Sequence, residues 1–253
     1  MSYLKPMENV SRLALVSDQH GNDVAFRAAL EDIERIGVEQ IVCLGDALQA
    51  GPQPRETLDR MQASGCRTVL GNSDAFLLEL PSDFPEPLSE RQLEVREWTR
   101  EQLGADGLEL IAAFDMQVTV DLAGMKLVCF HGSPTDFDDV LVPEIAGASL
   151  EPYLEALPAD LLAGGHTHRQ WTRRIGESLF VNPGSIGVPS ARTEFDERRL
   201  LPVHAEYGLV IVDDLGLSIE FRQVPYAYAD LERAMKESGR PYGEQFLADY
   251  AGP

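Results

Sequence analysis

The sequence is short of positive charge, of cysteine and of long apolar runs, and each shortage narrows what the chain can do. Its 21 lysines and arginines stand against 42 aspartates and glutamates, a formal net charge of -21. Phosphate backbones reward basic surfaces, so general nucleic-acid binding is not expected. The same deficit means that a small anionic ligand needs local positive charge, such as a metal ion, that the average surface does not supply. No run approaches the roughly 18 consecutive apolar residues of a membrane span, and "MSYLKPMENVSRLALVS" has no basic stretch followed by a long apolar one. A cytoplasmic protein with no membrane partner is expected. Three cysteines, Cys43, Cys66 and Cys129, cannot close a disulfide set and are expected as reduced core residues.

What is present is ordinary for a globular protein: 253 residues, 44% hydrophobic and 25% charged. There is no internal repeat, low-complexity tract or linker, so one domain over 1–253 is the economical count. "RLALVS" is a short apolar run, and "NDVAFRAALEDIERIG" follows with Phe26, Leu30 and Ile33 on one helical face, Asn22 as N-cap and Gly37 as stop. The alternation repeats through "EQIVCLGD", "PRETLDRMQASG", "CRTVLGN" and "DAFLLEL", where Ser73 is a candidate N-cap. The first 80 residues therefore read as β-α-β-α-β around a parallel sheet.

Three prolines between Pro81 and Pro87 break this pattern. "SERQLEVREWTREQLG" then reads as a helix with a Ser89/Gln92 capping box, and a shorter helix is expected around "DGLELIAAF". Residues 81–113 are thus a helical insertion at the strand ends. The second half is richer in strands. "MQVTVDLAGMKLVCFHGSP" reads as a hairpin, "DLLAGGHTH" and "SLFVNPGSIGVP" as strands running into polar loops, and "YGLVIVDDLGLSIEFRQV" as two closing strands before a terminal helix in "YADLERAMKESG".

Chemistry-bearing residues gather in those loops: Asp18 and His20 in "SDQHGN", Asp46 in "GD", Asn72 in "GNSD", His131 in "HG", and His166 and His168 in "GHTH". Four of the five histidines lie there, leaving His204 as an edge or surface residue. Imidazole with carboxylate suits Mn, Fe, Zn, Ni or Co rather than Ca or Mg. His166 and His168, two apart, point to one side of an extended loop. Seven donors are too many for one tetrahedral ion and suit two ions sharing a carboxylate.

The ordered set "DQH", "GD", "GNSD", "CFHGSP" and "GGHTH" resembles the signature of the calcineurin-like metallophosphoesterases, over about residues 12 to 213. The compact organisation, with "HGSP" and "NPGSIGVP", is most similar to the small bacterial and archaeal phosphodiesterase-like branch. The resemblance implies an α/β fold, a four-layer α-β-β-α sandwich with two mixed central sheets. It implies two divalent transition-metal ions, one held by Asp18, His20 and His168, the other by Asn72, His131 and His166, with Asp46 bridging. It also implies hydrolysis of a small phosphate ester by a hydroxide between the ions. Two ions, two carboxylates and a hydroxide leave roughly one net positive charge, enough to attract a phosphoester. Gly184, Ser185 and Gly187 are candidates to bring backbone N–H groups to the substrate.

Ser73 departs from the family pattern, which places a histidine there to protonate the leaving group. A serine hydroxyl is a poor general acid near neutral pH, so the usual gain of roughly 10²- to 10⁴-fold is not available from this position. That shifts the expectation toward phosphodiesters or activated esters. Asp46, Ser73 and Asp74 are the candidate catalytic residues, with Asp74 capping a helix or bonding His20. The alternative is a non-catalytic scaffold on the same fold, as in the retromer coat. An amidohydrolase would place its H-x-H near the first strand, and a metallo-β-lactamase-type enzyme needs an H-x-H-x-D-H run; neither is present.

Overall fold

The computed structural model describes residues 10–79, 87–144, 151–189 and 200–250. β1 (Ser11–Val16), β2 (Gln40–Cys43) and β3 (Arg67–Thr68) run parallel, joined by α1 (Asp23–Ile36) and α2 (Pro54–Ala63), as the sequence pattern predicts. The closing hairpin of β9 (His204–Asp213) and β10 (Gly216–Pro225) adds to β1 antiparallel, giving the order β10-β9-β1-β2-β3. The second sheet has the order β4-β5-β6-β8-β7. Its β5 (Met125–Cys129), β6 (Leu161–Ala163) and β8 (Ser178–Pro183) are parallel, and β4 (Val118–Leu122) and β7 (Gln170–Ile175) flank them antiparallel. Both sheets are therefore mixed, as expected.

Strand alternation sorts the core into layers. Leu13, Leu15 and Val42 face Val120, Leu127, Cys129 and Val181 across the space between the sheets. Ala14, Val16 and Cys43 point the other way, into Phe26 and Ile33 of α1, Leu58 and Met61 of α2, and Leu103. On the far face of the second sheet Val128, Phe130, Trp171 and Phe180 pack with Tyr153 of the six-residue α5 (Glu151–Ala156), so the fourth layer is thin. Cys43 and Cys129 are core residues, but Cys66 is only half-buried, since it stands in the turn that leads into β3.

Local signals set the boundaries. Asn22 Oδ1 accepts from Ala25 N at 3.1 Å, and Gly37 closes α1 at φ 75°. The β4–β5 turn uses Ala123 and Gly124, both at positive φ, the geometry of a two-residue hairpin. In the insertion, α4 (Glu90–Ala112) carries the Ser89/Gln92 capping box and breaks at Gly104 (φ 67°, ψ 179°), where the sequence divides its two helices. Residues 80–86, with most of the proline segment, lie outside the described residues. The sequence reading did not include β7, α5 or α7 (Gly243–Leu247). "QWTRRI" places Trp171 and Ile175 inward but sets Thr172, Arg173 and Arg174 between them, which obscures a strand that among the described residues pairs only with β8. The terminal helix α6 (Tyr228–Ser238) forms where expected, closed by Gly239.

One buried charge ties α1 to the closing hairpin. Asp32 accepts Tyr207 Oη at 2.7 Å and Arg222 Nη2 at 3.0 Å, and Arg35 at 2.8 Å. Burial alone would raise its pKa, but the Tyr207 and Arg222 hydrogen bonds outweigh that and hold it below the usual carboxylate value. A depressed folded pKa gives stability that is complete above the unfolded value of about 3.9 and lost as pH falls through the folded one. Asp32→Asn is therefore expected to destabilise by about 2 kcal/mol at neutral pH, and to flatten the loss of Tm below about pH 4, as read by thermal denaturation across pH.

Candidate metal centre

The carboxyl ends of the three parallel strands in each sheet meet at one end of the sandwich; six of the candidate donors stand in the loops that leave them, and Asn72 is the first residue of the helix after β3. In open α/β sheets that edge is where ligands bind. Asp18, His20, Asp46 and His168 offer atoms that all lie within 4.8 Å of one another, and so do Asp46, His131 and His166. Asn72 Oδ1 completes the second group, 3.0 Å from His131 Nε2 and 3.1 Å from His166 Nδ1. Asp46 belongs to both.

The backbone pays a conformational cost to achieve this. Asp18, His20, Asp46, His166 and His168 all have φ between 49° and 66°, the left-handed region that costs an L-residue about 1–2 kcal/mol. Neighbouring glycines make room. A Cβ on Gly71 would come within 2.2 Å of Asp46 Oδ1, and one on Gly165 within 2.1 Å of Ser17 Oγ.

Proton positions follow from the hydrogen bonds. Three Nδ1 atoms donate to backbone carbonyls: His20 to Gln49 O at 2.9 Å, His131 to Leu44 O at 2.6 Å and His168 to Val188 O at 2.8 Å. In the neutral rings each Nε2 then holds a lone pair aimed into the centre, the arrangement that orients metal-binding histidines. His20 Nε2 and His168 Nε2 face each other at 3.1 Å, a repulsive meeting of lone pairs unless a cation or proton lies between. Asp18 Oδ1 is buried without a hydrogen-bond donor, its neighbours being His168 Nε2 at 3.2 Å and His20 Nε2 at 3.9 Å. An orphaned carboxylate oxygen among inward-facing imidazoles fits a divalent transition metal.

The charges are strongly perturbed. Burial opposes ionisation of Asp46, but the charge and hydrogen bonding of His131 and the Ser73 hydroxyl hold its pKa far below the usual carboxylate range. Burial likewise opposes charging of His131, yet the Asp46 carboxylate pushes it up to about 9. Burial and the His168 charge lower His20.

Ser73 N donates to Asp46 Oδ1 at 2.8 Å and Ser73 Oγ to Asp46 Oδ2 at 2.7 Å, so both oxygens of the shared carboxylate are fixed by one residue. Ser73 is not the N-cap of α3 (Asn72–Leu77). Gly71 holds that position, because the helix begins at Asn72. Asp74 caps, as one reading had it, accepting from Gly71 N at 3.3 Å and from Ala47 N at 3.1 Å. It makes no bond to His20, whose Nδ1 is committed to Gln49 O. Burial and the Asp46 charge push Asp74 up to about 7.

Two further expectations are corrected. Gly184 N donates to Asn182 Oδ1 at 3.0 Å and Gly187 N to Asp18 O at 3.0 Å, while Ser185 Oγ donates to Asp18 O at 2.8 Å. This loop braces the Asp18 turn, and the Gly184 and Gly187 N–H groups are donated to Asn182 and Asp18 rather than open to a substrate. His204 is half-buried at the start of β9, beside Glu206 at 3.3 Å, and β9 lies inside its sheet rather than at the edge.

Two hollows adjoin the centre. One of about 500 Å³ is lined by His166, His168, Arg169, Val140 and Leu201. The other, about 230 Å³, is lined by His20, Ser73, Gln49, Phe76 and Arg240, with Arg91, Gln92 and Val95 of the insertion. Sequence reasoning missed Gln49, Arg91, Arg169 and Arg240, because a single arginine or glutamine in an arginine-rich chain carries no spacing signal.

The sequence profile of the calcineurin-like phosphoesterase superfamily domain matches residues 12–201. Phosphodiesterase YfcE of Escherichia coli K12 is 26% identical over 188 residues, 70% of this chain and 80% of that protein. Among solved structures, PH1004 from Pyrococcus horikoshii OT3 superposes with a TM-score of 0.77 at 22% identity, covering 94% of this chain and 96% of that one. A metallophosphoesterase from Sphaerobacter thermophilus superposes with a TM-score of 0.69 at 25% identity, covering 95% and 98%. Profile and fold agree with the loop geometry, and the chain belongs to the calcineurin-like phosphoesterase superfamily.

Proposed function

We propose that the protein is a two-metal phosphoesterase acting on phosphodiesters. The observation that carries this is the pair of donor groups sharing Asp46. In this reading Asp18, His20 and His168 hold one divalent ion of Mn, Fe, Zn, Ni or Co, and Asn72, His131 and His166 hold the other. Such a pair supplies water activated at neutral pH and positive charge for the phosphoryl oxygens.

The chain's own residues do the positioning. Gln49, Leu44 and Val188 carbonyls fix three imidazoles in the tautomer that presents Nε2 inward. Ser73 sets the plane of the Asp46 carboxylate, and Asp74 holds the loops of Asp46 and Asn72 together through Ala47 N and Gly71 N. With its hydroxyl donated to Asp46, Ser73 is a positioning residue and does not protonate a leaving group. Two hollows touching the centre through different residues suit an ester with two organic arms. A scaffold has no need of seven converging donors, five of them on left-handed backbone.

Asp46→Asn or His131→Ala is expected to lower kcat on bis(p-nitrophenyl) phosphate by at least about 10³-fold, on the scale of losing a metal-activated nucleophile. Metal content measured by mass spectrometry should fall below two ions per chain in the His131 variant. Near-normal turnover in either variant, with metal still required, contradicts the assignment. Aryl phosphodiesters graded by leaving-group pKa give a second measurement. A steep dependence, with rates falling as the leaving group becomes more basic, is expected where no side chain supplies a proton; a flat one contradicts the role given to Ser73.

A further inference from the structure

The smaller hollow holds two arginines that form no ion pair among the described residues. Arg240 is only 7% exposed and has no ion-pair partner among the described residues. Its Nε donates to Ala50 O and its Nη1 to Pro241 O at 2.7 Å, and Nη2 has no acceptor among the described residues. The guanidinium carbon lies over the Phe246 ring, 5.0 Å from its centroid. Arg91 of α4 lines the same hollow, its guanidinium carbon 5.9 Å from the centroid of the Tyr242 ring, and it too makes no ion pair among the described residues. Burial, and after it the neighbouring Arg91 charge, lower the Arg240 pKa to about 10, with Tyr250 acting weakly the other way. By contrast, Arg169 in the larger hollow is neutralised by Glu144 at 3.1 Å.

Gln49 is a second, independent observation. It is 8% exposed, lines the hollow, and its Oε1 is buried with no hydrogen-bond partner. A half-turn of the amide presents Nε2 in place of Oε1, so the group serves an anion as a donor. The position is tied to the centre by two consecutive carbonyls: Gln49 O accepts from His20 Nδ1, and Ala50 O, on a residue at φ 105°, accepts from Arg240.

We propose that Arg91, Arg240 and Gln49 form a subsite for a second oxyanion of the substrate, a phosphate that is not hydrolysed, carried on one arm of the ester. The inference rests on the phosphoesterase reading of the adjoining centre. At about 230 Å³ the hollow is below the roughly 300–1,000 Å³ of pockets that enclose whole drug-sized ligands, so it takes an anionic group rather than a nucleoside. Phe76, Val95 and Ala50 give it apolar walls, beside which a charge interaction is stronger than in bulk water. The substrate class is therefore a phosphodiester with a further terminal phosphate, and the helical insertion, through Arg91, selects it.

The test compares two esters, the p-nitrophenyl ester of thymidine 5′-phosphate with and without a 3′-phosphate, on metal-loaded full-length protein. The 3′-phosphate is expected to raise kcat/KM about tenfold, and Arg91→Gln and Arg240→Lys should each bring the ratio of the two values close to one. Arg91 is exposed, so its variant is not expected to disturb folding. A ratio near one in the unaltered protein, or a ratio unchanged in both variants, overturns the subsite. If metal-loaded protein turns over neither ester, the phosphoesterase reading fails on its own. Calorimetric titration with inorganic phosphate then decides the subsite: binding about tenfold weaker in Arg91→Gln supports it, and equal binding overturns it.

Discussion

The hold of Ser73 on Asp46 is the interaction around which the rest of the centre is arranged. A carboxylate that two donor groups share has to present both oxygens at once, and free rotation about its last bond would serve one group at the expense of the other. A backbone N–H and a hydroxyl from the same residue fix both oxygens, at 2.8 and 2.7 Å. The first turn of α3 makes this possible, since it brings Ser73 N and Oγ to the same carboxylate while Asn72, one residue earlier, offers its amide oxygen to His131 and His166. The loop that carries a donor for one group thus orients the carboxylate common to both.

Charge explains why such a centre needs a cation. Buried carboxylates and imidazoles gather where water cannot screen them, and Asp18 Oδ1 finds no donor among its own neighbours. The chain also accepts left-handed backbone at five donor positions. Strain of that kind persists only where the surrounding structure holds it, and here the β-sheet ends, the Gly187 and Ser185 bonds to Asp18 O and the Asp74 bonds to Ala47 and Gly71 do so. In a protein of net charge -21, the proposed reading supplies two sources of local positive charge for a phosphoester: the ions that the seven donors would hold, and Arg91 and Arg240 beside them, which make no ion pair among the described residues.

Much of this was legible in the sequence, for identifiable reasons. Periodicity in "VAFRAALEDI" and the apolar runs before each Gly-Asp or Gly-Asn turn specify strands and helices locally, so the β-α-β-α-β order and the break at Gly104 could be read. The donor residues are few and chemically distinctive, so their clustering after strands stood out. What the sequence concealed depends on contacts between distant segments. That Ser73 serves Asp46, that the Gly184–Val188 loop braces Asp18, and that Arg240 meets Ala50 are pairings across 27, 167 and 190 residues. Glycine at 71 and 165 reads as a turn signal, yet its structural reason is the oxygen atom that a Cβ would strike. β7 was hidden because its arginines break the apolar alternation.

In the proposed reading two ions share Asp46. Anomalous scattering from crystals grown with manganese tests it most directly. The account predicts two peaks about 3.5–4 Å apart, one against Asp18, His20 and His168, the other against Asn72, His131 and His166, with Asp46 touching both. A single peak, or a pair in which one ion has no contact with Asp46, would contradict it.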